Sequence, residues 1–89
     1  MQNIQKISKL VKNLHTEAEI ESFFKELLTE SEIETLSKRW RILEMLTQGF
    51  TQREIAKELQ VSLCKVTRGA KILRDDESIL RKHMIKEKI

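Results

Sequence analysis

The sequence predicts an all-α protein of about six short helices. Three observations carry that expectation: a near absence of helix breakers, a repeated helix-capping signature, and apolar residues at helical spacing. The 89 residues include no proline and only two glycines. These residues supply the many tight turns that a β-sandwich or barrel needs, so an all-β fold is excluded. The pattern Thr-x-x-Glu occurs at Thr16–Glu19, Thr29–Glu32 and Thr51–Glu54. In such a capping box the threonine oxygen accepts from the third helical amide, and the glutamate reaches back to the threonine N–H.

Taken in order, Ile4, Ile7, Leu10, Val11 and Leu14 recur at the spacing of a first helix. After Thr16, the residues Ala18, Ile20, Phe23, Phe24 and Leu27 extend a second to about residue 28. After Thr29, the residues Ile33, Leu36, Trp40, Leu43 and Leu46 make the longest helix, which Gly49 ends as a left-handed cap. After Thr51, Ile55, Ala56 and Leu59 allow barely two turns. Ser62 caps a fifth helix through Val66 to about Leu73, and Asp75 or Asp76 starts a sixth containing Ile79, Leu80, Met84 and Ile85. Trp40 is expected in the core or a dimer interface, and Phe23, Phe24 and Phe50 in the core.

Residues 1–89 are read as a single domain. A chain this short buries too little of its own surface for much stability, and a dimer is the expected remedy. No stretch has more than two consecutive apolar residues, which excludes a membrane span and a signal-peptide core, so a cytoplasmic protein is expected. Cys64 is the only cysteine, so neither an intramolecular disulfide nor a zinc cluster follows. His15 and His83 stand far apart without companion metal ligands. With no nucleophile-and-base pair and no paired-carboxylate site in view, the chain is not expected to be an enzyme.

The net charge of +3 conceals a polarity: residues 16–34 carry seven glutamates against one lysine, whereas 62–74 carry four cations and no acid. Lys65, Arg68, Lys71 and Arg74 recur every third residue, so on a helix they drift slowly round one side and can follow a polyanion. Within about 51–73, the apolar residues Ile55, Ala56, Leu59, Val61 and Val66 fall where a helix-turn-helix needs them. The small Ala56 suits a steep helix crossing, although Gln60 stands in the turn where glycine is common. Such a unit lays its second helix in the major groove of double-stranded DNA. The candidate DNA-facing residues are Gln52, Arg53, Ala56, Leu63, Cys64, Lys65, Thr67 and Lys71. Arginine to guanine is the commonest direct base contact, and Arg53 has no facing acid to pair with, since Lys57 stands four residues on and Glu54 and Glu58 lie at offsets that do not face it.

Four segments then resemble the bacterial Trp repressor family in order and spacing: Leu28-Thr29, Lys38-Arg-Trp-Arg-Ile-Leu43, Thr51-Gln-Arg-Glu-Ile55 and Val66-Thr-Arg-Gly69. The resemblance covers about residues 16–82. The Trp repressor is itself a standard instance of this docking and of water-mediated readout, so those features are carried over by the resemblance. It implies an intertwined homodimer bound to an operator, with L-tryptophan as co-repressor. By position, Arg39 and Arg68 would sandwich the indole, and Arg68 would grip the carboxylate. Gly69 would admit the ligand, while Thr29 and backbone carbonyls around Glu26 and Leu28 would come from the partner chain.

The chain departs from the family in two places. Ile72 stands where the family has a serine that helps bind the amino group of tryptophan, and an underpaired ammonium costs about 1–3 kcal/mol. The joint Gly49-Phe50-Thr51 is one residue shorter than in typical relatives. A repressor responsive to L-tryptophan or a related small molecule, a related regulator that binds DNA without tryptophan, and a helical protein-interaction module are the readings that remain.

Overall fold

A computed structural model describes residues 2–85, which form six helices: α1 (Gln2–Lys12), α2 (Glu17–Leu27), α3 (Glu30–Thr47), α4 (Gln52–Leu59), α5 (Leu63–Arg74) and α6 (Ile79–Met84). No strand occurs among the described residues, and no helix there is long and apolar enough to cross a membrane. The all-α class and its six helices are as the sequence predicts. By its internal contacts the chain divides into two compact units, Met1–Glu34 and Thr35–Ile89, with the boundary inside α3.

In the first unit, Thr16 caps α2 by accepting from the Glu19 N–H at 3.1 Å. Its capping box is altered, because the Glu19 carboxylate accepts from the His15 N–H at 2.7 Å and not from Thr16. Thr29 and Glu32 form the complete reciprocal pair at 2.9 and 3.1 Å, so α3 begins where the pattern predicts. No residue of α1 or α2 is buried. Phe23 is half-buried, but Phe24 is 39% exposed and does not join a core. Consecutive helical residues point about 100° apart, so the two rings cannot face the same way; they meet edge to face with centroids 5.4 Å apart.

The second unit holds the buried core: Ile42, Leu43, Met45, Ile55, Val66, Ala70 and Leu73. Ile55 and Val66 are 0% exposed, and burying each stabilises by about 1.5–3 kcal/mol. Leu46, Ala56, Leu59 and Val61 pack round this cluster, which is the apolar spacing of a helix-turn-helix made solid. Trp40 and Phe50 lie outside it at 47% and 44% exposure, so neither is a core residue of the single chain.

Gly49 ends α3 at φ +96°, with its N–H bonded to the Leu46 carbonyl and the Phe50 N–H to that of Met45. This is the Schellman arrangement, in which a left-handed residue turns the following N–H groups back onto carbonyls of the last turn. A side chain would meet nothing within 4 Å there, so the backbone conformation alone favours glycine. At the other end of the unit, Ser78 and not Asp75 or Asp76 caps α6, accepting from the Arg81 N–H at 3.1 Å. Asp75 instead accepts from the Glu77 N–H and closes a local turn, which delays the helix by three residues.

Candidate nucleic-acid interface

α4 and α5 form the predicted helix-turn-helix. Thr51 makes a complete capping box with Glu54, at 2.8 and 3.1 Å, and thereby sets where α4 starts. Gln60 ends it at φ 56°, ψ 49°, the left-handed conformation usually left to glycine. The Ala56 carbonyl accepts from the N–H of both Gln60 and Val61, so the chain reverses tightly. Ser62, in extended conformation, then caps α5.

The faces of α5 follow from its sequence. Val66, Gly69, Ala70 and Leu73, at positions i, i+3, i+4 and i+7, are its buried residues. Leu63, Cys64, Lys65, Thr67, Arg68, Lys71 and Arg74 are exposed. Because a step of three residues turns a helix about 60° short of a full circle, the four cations sweep across the exposed half of α5 and do not form one straight row. No acid lies on this helix. Lys71 and Arg74 in its last turn also oppose the negative end of the helix dipole.

Among the DNA-facing candidates, Arg53, Leu63, Cys64, Lys65, Thr67 and Lys71 lie on accessible surface, with Leu63 at 45% exposure. Gln52 is half-buried at the start of α4, and its side-chain oxygen accepts from the Thr67 hydroxyl at 2.8 Å. Ala56 is half-buried against the core cluster, the place its size suits at a helix crossing. Sequence reasoning overlooked Arg81. Its guanidinium donates to the Leu73 carbonyl and stands 3.6 Å from the Asp76 carboxylate, which holds the end of α5 against α6. A cation shortly after a helix end is the signal that could have found it.

Of the effector candidates, Arg39, Arg68, Gly69 and Ile72 belong to the second unit, whereas Leu28 and Thr29 belong to the first. Arg39 and Arg68 are exposed, and Ile72 is half-buried. Gly69 is buried against α3, where a Cβ would stand 3.0 Å from Ile42 Cγ2, 3.4 Å from Leu46 Cδ1 and 3.5 Å from Leu43 Cδ2. Arg39 lies three residues before Ile42 on α3, and Arg68 is next to Gly69 on α5, so both arginines flank this close helix contact in sequence. Leu28 is half-buried in extended conformation, and Thr29 is occupied as the α3 cap. Among the described residues no cluster of three or more metal-ligating side chains occurs.

A family model described as the Trp repressor protein matches residues 2–88. Searches of curated proteins and of solved structures found no match.

Proposed function

Because the chain belongs to the Trp repressor family, we propose that it is a sequence-specific repressor of transcription that acts as a homodimer on double-stranded operator DNA in the cytoplasm. The family is regulatory and not catalytic. The observation that carries the reading is the division of α5: its small and apolar residues are spent on the core, and its cations, with no acid among them, stay accessible. Phosphate neutralisation by Lys65, Lys71 and their neighbours supplies affinity, while base edges supply choice. Arg53, exposed at the start of the helix-turn-helix, is the direct reader of guanine.

Dimerisation is supported by apolar surface that the single chain leaves uncovered. Ile4, Leu10, Leu27 and Trp40 are 47–54% exposed, and about 25 cal/mol is gained per Å² of such surface buried. Two reading helices then meet successive major grooves about 34 Å apart. A small effector, L-tryptophan or a relative, is held by Arg39 and Arg68 with Leu28 and Thr29 of the partner chain. It raises affinity only by as much as it prefers the DNA-competent arrangement. Ile72, apolar and half-buried, favours a second reading in which the repressor works without tryptophan.

Titration of the full chain against duplex DNA at two salt concentrations tests the proposal. Binding must weaken steeply with salt, with a logarithmic slope of about −0.9 per phosphate contact. No duplex binding at low salt would leave the helical interaction module as the better reading.

A further inference from the structure

The side chains of Thr67 and Gln52, 15 residues apart and on different helices, meet through one hydrogen bond in which the Thr67 hydroxyl donates to Oε1 of Gln52 at 2.8 Å. A threonine hydroxyl has a single hydrogen, and a glutamine amide has an acceptor oxygen with two lone pairs and an NH2 with two hydrogens. The bond therefore uses the only hydrogen of Thr67 and turns Nε2 of Gln52, with both its hydrogens, away from Thr67. Among the described residues Nε2 has no hydrogen-bond acceptor, while Gln52 keeps part of its surface and Thr67 is exposed.

We propose that Thr67 is a positioning residue for DNA recognition, holding the Gln52 amide by its oxygen so that the NH2 is left to grip a phosphate oxygen of the duplex backbone. This rests on the DNA-binding reading above. A glutamine that reads adenine needs its amide oxygen as an acceptor as well as its NH2 as a donor, and here Thr67 takes one of that oxygen's two lone pairs, whereas both hydrogens of the NH2 stay unpaired among the described residues. A phosphate oxygen asks only for donors and carries the negative charge that the adjacent Arg53 and the cations of α5 attract. Thr67, its hydrogen given up, has only lone pairs left and donates nothing to the backbone itself. The pair also ties the first residue of α4 to α5, so the phosphate contact and the reading helix keep a constant register.

The test is a thermodynamic cycle with the full chain and a random-sequence duplex at low salt, since a phosphate contact does not depend on base sequence. Thr67→Val and Gln52→Ala are each expected to weaken binding by roughly threefold to tenfold, the double variant no more than either single one, and Thr67→Ser not at all. Gln52→Glu separates recognition from packing: it keeps an acceptor for Thr67 but replaces the NH2 with a carboxylate oxygen, so binding falls while the melting temperature stays that of the natural protein. Losses that multiply in the double variant would overturn the inference, as would wild-type affinity in Thr67→Val or Gln52→Glu. If the natural protein binds no duplex at all, the DNA reading itself fails and takes this inference with it, an outcome distinct from a failed cycle.

Discussion

Gly69 on α5 lies so close to Ile42 on α3 that a Cβ placed on the glycine would stand 3.0 Å from the isoleucine Cγ2. Leu43 and Leu46 close the same space at 3.4–3.5 Å. The lack of a side chain thus lets α5 sit directly on the long helix α3. Through this contact the orientation of α5 depends on α3.

Gly69→Val is expected to destabilise the protein by about 1–3 kcal/mol, because a branched side chain forces Ile42 and its neighbours off their packing. Gly69→Ala is milder, since the better helix propensity of alanine returns about 1 kcal/mol. Urea denaturation followed by far-ultraviolet circular dichroism measures both. Wild-type stability in the valine variant would show that α3 and α5 have room to separate.

Gln60 holds a left-handed conformation that costs a residue with a side chain about 1–2 kcal/mol. Glycine removes that strain but loses more backbone entropy on folding, so Gln60→Gly should stabilise by about 0.5–1 kcal/mol. Gln60→Val, branched at Cβ, should do the reverse. Thermal melts of the three proteins rank them, and a valine variant as stable as the glycine variant would contradict the assigned turn.

Thr51 and Glu54 satisfy each other's backbone donors at the start of α4. Thr51→Ala should cost about 0.5–2 kcal/mol, and Thr51→Ser far less. Thr16→Ala should also cost, although Glu19 has turned to the His15 N–H and would keep its bond. Equal losses on substituting Thr51 by alanine and by serine would rule out capping as the cause.

Ile72 stands on α5 at the position where the resemblance implies a serine that would assist the amino group of tryptophan. Calorimetry with L-tryptophan on the natural protein and on Ile72→Ser compares the two proposed modes of regulation. If the restored hydroxyl supplies one charge-assisted hydrogen bond, affinity rises by about tenfold or more. Binding only by the variant identifies a repressor that works without tryptophan. Equal binding by both would show that the serine is dispensable here.

The helices were legible because their signals are local. Capping threonines, the glycine after Leu46 and apolar spacing all act within a few residues, and α3, α4 and α5 begin and end close to where those signals lie. The sixth helix holds Ile79, Leu80 and Met84 as expected, and only its cap differs, for an equally local reason. Asp75, Asp76 and Ser78 are all good caps, and only the turn that Asp75 makes with Glu77 leaves the role to Ser78. Phe24 and Phe50 misled because an aromatic side chain announces burial without saying against what, and the single chain leaves both exposed.

By itself the amino-acid sequence determined the all-α class, the helix-turn-helix and the family, since each depends on patterns within a short window of residues. The division of α5 into a buried and a cationic face was also implicit in its periodicity. Only the tertiary structure decided what meets across sequence distance: that Gly69 serves a close approach to Ile42, that Arg81 holds the Leu73 carbonyl, and that Thr67 spends its hydrogen on Gln52. Such contacts arise from the angle at which whole helices cross, and that angle is set by the fit of many side chains at once.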